Sequence, residues 1–95
     1  MEKSREELDR IAELFKTLGD VTRIQILYGL EDEKCVSELA RELDMTHSAV
    51  SHQLSVLKIN RLVNKSRKGK QIYYQLSDDS IKSLLKMGEN YACSK

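Results

Sequence analysis

A chain of 95 residues that is 40% hydrophobic and 33% charged can bury one modest core, so we expect a single domain over residues 1–95 and exclude a second. No stretch approaches the roughly 18 apolar residues of a membrane span, and the charged segment MEKSREELDR is unlike a signal peptide. Two cysteines are too few for a secreted disulfide scaffold, so we expect a cytoplasmic protein with free thiols and no membrane partner.

The first two helices are predicted from their capping residues. Ser4 followed by Glu7 forms a capping box, and apolar residues then recur at helical spacing until Gly19. Asp20 can cap a second helix. The charged segment EDEK, residues 31–34, predicts a solvated connection.

Residues 36–58 predict a helix-turn-helix. A third helix begins near Val36 or Ser37, and only two residues separate its end from Thr46, which is a good N-cap. Helices joined so tightly must cross at a steep angle. Asp44 lies in the turn, where a left-handed backbone conformation is often needed.

The segment THSAVSHQLSVLK, residues 46–58, has two contrasting stripes at helical spacing. The inward stripe comprises Ala49, Val50, Leu54 and Leu57. The outward stripe comprises Ser48, Ser51, His52 and Ser55. Short hydroxyl side chains let a helix approach a major groove closely, so the outward stripe favours contact with DNA bases or phosphates.

Positive charge is concentrated between Met45 and Ser77, a span without any Asp or Glu. The basic residues of the span are Lys58, Arg61, Lys65, Arg67, Lys68 and Lys70. Within the span, residues 62–77 alternate like two strands and predict a β-hairpin with Lys68 and Gly69 as its turn. Such a basic hairpin is a wing whose tip can reach phosphates, although the net charge of the chain is only +1.

The last helix is predicted from about Asp78 to Tyr91, and it carries an apolar stripe as the first helix does. The stripe residues of the two helices are Leu8, Ile11, Phe15, Ile81, Leu84, Leu85, Gly88 and Tyr91. A glycine on an apolar stripe indicates a close helix contact. Because both stripes need a partner, we expect residues 1–19 and 78–95 to form a homodimer interface.

The segments GDVTRIQIL, CVSELA, THSAVSHQLSVLK and RKGKQIYYQLS resemble, in this order, the ArsR/SmtB family of winged-helix repressors. The resemblance implies a mainly α fold of about five helices with a two-stranded wing, paired through the first and last helices. It also implies binding to an imperfect palindromic operator in double-stranded DNA, with release by an inducer. It assigns DNA contacts to Thr46, His47, Ser48, Ser51, His52, Lys58, Arg67, Lys68 and Lys70.

The metal sites of the family are incomplete in this sequence. Many relatives carry Cys-Val-Cys where this chain has Cys35-Val36-Ser37, and residues 1–34 contain neither Cys nor His. A soft metal ion prefers three or four such ligands. The last-helix ligands of other relatives align with Asp78, Ser80, Tyr91 and Ser94, of which only Asp78 matches. One match leaves the last-helix zinc site effectively absent, and Cys35 remains as the candidate metal ligand.

Thiol chemistry is a further alternative for the inducer. A third group of relatives senses oxidants with one Cys in the second helix and one in the last. Cys93 matches the cysteine of the last helix, whereas Tyr28 occupies the position of the cysteine in the second helix. Metal sensing through Cys35, thiol chemistry at Cys93 and the absence of an inducer site remain open, as does a bridge between the two cysteines.

Two other classes of function compete with DNA binding. A protein-interaction module could keep the same fold and use its wing against an acidic protein. The span without carboxylates and the short hydroxyl stripe favour DNA instead. An enzyme is disfavoured, because the sequence has no Gly-rich phosphate loop and no Cys/His or Ser/His/Asp constellation.

Overall fold

In residues 2–93, which the computed structural model describes, the chain forms five helices and three strands. The helices are α1 (Arg5–Leu18), α2 (Val21–Gly29), α3 (Val36–Leu43), α4 (His47–Ile59) and α5 (Asp79–Cys93). The strands are β1 (Lys34–Cys35), β2 (Val63–Lys68) and β3 (Gln71–Leu76). In this part of the chain, none of the helices is both long and apolar enough to cross a membrane.

The helix starts follow from local capping, as the sequence predicts. Glu7 N–H donates to the Ser4 hydroxyl at 3.1 Å, and Ser4 N–H donates to the Glu7 carboxylate at 3.0 Å. The side chains of Asp20 and Thr46 accept the corresponding backbone N–H groups at the starts of α2 and α4. Each cap satisfies a donor that the helix itself leaves unpaired, which confirms all three predicted starts.

The turn between α3 and α4 depends on a left-handed residue. Asp44 has φ 53° and ψ 50°, a conformation that Asp tolerates better than most residues with a side chain. Met45 N–H then donates to the Ala40 carbonyl at 2.9 Å and closes the end of α3. The predicted helix-turn-helix is confirmed.

The strands form an antiparallel sheet in which β3 lies between β1 and β2. Lys34 pairs with Tyr74 and Cys35 with Tyr73, so the predicted two-stranded wing is extended by a third strand. The prediction of a solvated connection over residues 31–34 was therefore wrong for Lys34. A strand of two residues is too short to show an alternating pattern, and its pairing partner is distant in the sequence.

The turn of the wing differs by one residue from the prediction. Lys68 pairs with Gln71, so the turn consists of Gly69 and Lys70 rather than Lys68 and Gly69. Gly69 has φ 63° at the first central position, the conformation that glycine adopts in a type II′ hairpin turn. This turn places Lys70 at the tip of the wing.

The core lies between α2, α3, α4 and the base of the wing. Its fully buried side chains are Ile26, Leu27, Leu30, Leu39, Val50, Leu54, Leu57 and Val63. Ile81 of α5 belongs to the same cluster and is only 7% exposed. It therefore packs within its own chain, which differs from the expectation that it lies on the dimer surface. The spacing of apolar residues in the sequence could not show whether Ile81 faces the core or a dimer surface, because both environments are apolar.

Candidate nucleic-acid interface

The exposed side of α4 carries the polar stripe that the sequence predicts. Val50, Leu54 and Leu57 are fully buried, and this fixes the rotation of the helix about its axis. The residues that consequently face outward and are exposed are Ser48, Ser51, His52 and Ser55. Ser55 Oγ donates to the Ser51 carbonyl at 3.1 Å, so its hydroxyl hydrogen is already used.

The N-terminal end of α4 is held by α3 and by its own cap. Ser37 Oγ lies 2.8 Å from His47 Nε2, and both side chains are exposed. Thr46 Oγ1 accepts from Ala49 N–H at 3.1 Å. Thr46 thus has a structural role beside the one implied by the family resemblance.

Arg23 connects three helices, a role that the sequence analysis missed. Its Nε donates to the Thr17 carbonyl at 2.8 Å, and its Nη1 donates to Gln53 Oε1 at 3.3 Å. Gln53 belongs to α4, so Arg23 helps to position this helix against α1 and α2. No spacing rule could have found this contact, because Arg23 and Gln53 are 30 residues apart.

The three predicted cations of the wing have different surroundings. Lys68 forms an ion pair with Glu33, and its Nζ lies 5.6 Å from the centre of the Tyr73 ring. Arg67 Nε donates to the Gly69 carbonyl at 3.2 Å. Among the residues that the structure describes, Lys70 has no carboxylate partner. Lys70 is therefore available to phosphate without the loss of an existing ion pair.

The terminal helices leave apolar surface uncovered in the single chain. Phe15 is 57% exposed, Met87 68% and Tyr91 78%, while Leu8 and Leu84 are half-buried. A Cβ added at Gly88 would have open space around it, so the close helix contact predicted there is not made among residues 2–93.

Ile11 and Leu85 of the predicted interface differ in their exposure. Ile11 is exposed, whereas Leu85 is half-buried and packs against the core. Leu85 also lines a groove of about 410 Å³ between α2 and α5, together with Leu27 and Tyr28. Leu85 therefore packs against the core of its own chain and is also partly exposed at the surface.

Tyr28 and Glu89 form a hydrogen bond across this groove. Tyr28 OH donates to Glu89 Oε2 at 2.5 Å. The bond to the carboxylate, with some desolvation and the nearby charges of Glu89 and Cys93, raises the pKa of Tyr28 to about 12. Tyr28, which aligns with the second-helix cysteine of the relatives that sense oxidants, therefore contacts α5.

The two cysteines are free thiols in different environments. Cys35 is 6% exposed at the N-cap of α3, and its N–H donates to Glu38 Oε1 at 3.0 Å. This hydrogen bond lowers the pKa of Glu38. Cys93 is exposed near the end of α5. Only Cys93 is readily accessible to a reagent in solution.

Of the positions aligned with the last-helix metal ligands, Asp78, Ser80 and Tyr91 lie within the described residues. Asp78 accepts from the hydroxyl and the N–H of Ser80, and these bonds lower the pKa of its carboxyl. Ser94 lies outside the described residues. Within residues 2–93, no group of three or more His, Cys, Asp or Glu side chains is placed to hold a metal ion.

Comparison with known proteins identifies the family of this chain. The family profile described as bacterial regulatory protein, arsR family, matches residues 20–65. The chain is 38% identical to the transcriptional repressor SmtB homolog of Synechocystis over 85% of its own length. It spans only 62% of the length of that repressor.

Two further relatives match over most of their length. The arsenical resistance operon repressor of Bacillus subtilis is 35% identical, over 90% of this chain and 84% of the repressor. The homodimeric winged helix-turn-helix DNA-binding domain of a possible ArsR-family regulator from Mycobacterium bovis superposes with a TM-score of 0.88. That domain is 28% identical, over 97% of this chain and 86% of the domain. The chain therefore belongs to the arsR family of bacterial regulatory proteins and has its winged helix-turn-helix fold.

Proposed function

We propose that this protein is a transcriptional repressor that binds a palindromic DNA operator as a homodimer. The observation that carries the proposal is the segregation of charge: residues 45–77 contain six basic and no acidic side chains. This span supplies both the exposed stripe of α4 and the wing. A phosphate backbone attracts such a surface and is repelled by the rest of the chain, which holds ten basic and fifteen acidic residues.

Residues 36–58 form the reading unit of this proposal, and residues 62–77 form its wing. Ser48, Ser51 and His52 contact base edges, because α4 presents them on its exposed side. Thr46 and His47 lie at the N-terminal end of α4, where backbone N–H groups favour a phosphate. Lys58 and the wing cations Arg67, Lys68 and Lys70 add phosphate contacts.

Homodimerisation through residues 1–19 and 78–95 accounts for the uncovered surface of α1 and α5. Phe15, Met87 and Tyr91 would be covered, and the open space at Gly88 would admit a partner helix. Ile81 is omitted from this contact because it is buried in the core. The Mycobacterium bovis domain is homodimeric, which supports a homodimer here.

An inducer that acts on thiols would reach Cys93 more easily than the buried Cys35. The arsenical repressor of Bacillus subtilis makes a thiol-reactive metalloid or a metal ion a reasonable class to test. Operator release should be measured with metal ions and thiol oxidants on the parent protein and on Cys35→Ser and Cys93→Ser. Loss of release in only one variant would identify the sensing thiol. A regulator of this kind acts where the chromosome lies, so we place the activity in the cytoplasm.

Duplex binding as a function of salt tests the proposal. An operator can be selected from a random DNA pool and compared with an unrelated duplex of equal length. The affinity for both should fall steeply between about 50 and 200 mM salt, because bound phosphates release counterions. Binding to neither duplex would refute the proposal. An acidic protein bound more tightly than DNA would favour the protein-interaction module.

A further inference from the structure

A cleft lies between the C-terminal end of α4 and the strands of the wing. Its volume is about 230 Å³, several times the roughly 30 Å³ that one water molecule occupies in the liquid. The residues that line this wing cleft are Leu54, Ser55, Lys58, Ile59, Lys65 and Tyr74. The space is sufficient for a phosphodiester group.

The wing cleft adjoins the surface proposed to face DNA. Ser51, Ser55 and Lys58 follow one another at spacings of four and three residues, so they lie along one side of α4. Ser55 and Lys58 also line the cleft. A duplex seated on the exposed stripe of α4 would therefore bring its backbone past the cleft.

The two lysines enter the cleft from different elements. Lys58 belongs to the last turn of α4 and Lys65 to β2. Lys65 is the direct cross-strand partner of Tyr74, so these two side chains share one face of the hairpin. Tyr74 packs against the core, which directs this face toward the body of the protein. The wing and α4 thus each contribute one cation to one cleft.

Neither lysine has a counter-ion in the part of the chain that the structure describes. This differs from Lys68, which is paired with Glu33. The two lysine charges in one cleft repel each other. An anion that both lysines contact is attracted to each of them, and this attraction offsets the repulsion.

The chemistry of the lining favours a phosphate over a base edge. The hydroxyl hydrogen of Ser55 is donated to the Ser51 carbonyl, so Ser55 is not a free donor. The lysine ammonium groups supply donors and charge, and the phenol of Tyr74 can supply one more donor. Such a set recognises a compact anion without reading sequence.

We infer that Lys58 and Lys65 together bind a single phosphodiester group of the operator backbone in the wing cleft. This inference rests on the proposed function and gives Lys65 and Tyr74 a role in it. One shared phosphate would also fix the angle between the wing and α4, because the two lysines come from these two elements.

The salt dependence of binding to a random-sequence duplex tests the shared phosphate. The slope of log affinity against log salt changes by about 0.9 for each neutralised phosphate. The proteins to compare are the parent, Lys58→Ala, Lys65→Ala and the variant with both changes. The matched control carries Lys16→Ala and Lys82→Ala, which remove two exposed lysines that also form no ion pair with the described residues and lie outside the apolar stripes of α1 and α5. Circular dichroism and solution mass establish that each variant is folded and assembled as the parent is.

A shared phosphate predicts that each single change leaves most of the slope intact, because the remaining lysine still neutralises the group. The double change should lower the slope by about 0.9 per subunit, and the control should lower it by much less. A loss of about 1.8 per subunit, divided equally between the single changes, would show two separate phosphates and overturn the inference. No loss in the double variant would also overturn it while leaving the proposed function intact. A parent protein that binds no duplex would refute both.

Discussion

Ser37 Oγ lies 2.8 Å from His47 Nε2, so a side chain of α3 holds the first residue of α4. Ser37 occupies the position at which many relatives have the second cysteine of Cys-Val-Cys. In this chain the position therefore contacts the proposed DNA-binding helix directly. Because Ser37 engages one ring nitrogen of His47, the other nitrogen is the one that remains for DNA.

Loss of this hydrogen bond should weaken operator binding. Ser37→Ala is expected to reduce the affinity by roughly 2- to 10-fold, the range of a neutral hydrogen bond worth about 0.5 to 1.5 kcal/mol. Ser37→Thr keeps the hydroxyl and should restore most of the affinity. His47→Ala should remove the effect of Ser37→Ala, as measured by titration of labelled operator with the four proteins of the cycle. Strictly additive losses would show that Ser37 does not act through His47.

Because Lys68 is paired with Glu33, Lys68 and Lys70 of the wing should contribute unequally to the affinity for DNA. Lys68 must leave a carboxylate to reach phosphate, whereas Lys70 need not. Lys70→Ala should therefore cost more affinity for random duplex than Lys68→Ala, and Glu33→Gln should raise the affinity about 2- to 5-fold, as expected for an exposed ion pair. Equal losses at both lysines, with no gain from Glu33→Gln, would indicate that the pair does not compete with DNA.

The exposed serines of α4 should determine sequence preference. Ser48→Ala and Ser51→Ala are expected to lower operator affinity several-fold, because each removes a hydroxyl that can bond a base edge, about 1 kcal/mol per bond. Affinity for a random duplex should change little. Ser55→Ala is the matched control, since its hydroxyl is already bonded to Ser51. Equal losses on operator and random duplex would refute base readout by these serines.

The proposed dimer surface should be sensitive to charge. Phe15→Glu and Met87→Glu each place a carboxylate on the exposed apolar surface of a terminal helix, where burial of an unpaired charge is strongly unfavourable. We expect the solution mass to fall from dimer to monomer at micromolar concentration. Ile59→Glu is the control, because Ile59 is 78% exposed but lies on α4. A parent protein that is already monomeric would contradict the proposed homodimer.

The bond between Tyr28 and Glu89 predicts a late tyrosine titration. Protonated Tyr28 donates to the carboxylate, so its pKa is raised and the bond is fully present below the ordinary value of 10.0. Its stabilisation is lost as the pH rises through about 12. Ultraviolet tyrosinate absorbance should show an ionisation step at about 12, and Glu89→Gln should move that step toward 10.0. Tyr28→Phe should remove the step altogether, and its persistence would assign the late group to another tyrosine.

Local physics explains which features the sequence could predict. Ser4, Asp20 and Thr46 cap helices through contacts three residues away, and Asp44 adopts its left-handed conformation within a short turn. These interactions involve near neighbours in the chain, so their spacing is visible in the sequence.

The features that were missed depend on distant parts of the chain. Glu33 and Lys68 are 35 residues apart, and Lys34 is placed in a strand only by its pairing with Tyr74. Ile81 could have been assigned from its spacing to either the core or a dimer surface. Only the packing of α5 against the rest of the fold decides between them.

The most direct test of the account is a hydroxyl-radical footprint of the protein on an operator selected from a random DNA pool. Two recognition helices related by a two-fold axis predict two equivalent protected patches on one face of the duplex. Their centres should lie roughly 10 bp, or a multiple of this, apart. A single protected patch without two-fold symmetry, or a pool from which no sequence is enriched, would contradict the central claim that a homodimer reads DNA through α4 and the wing.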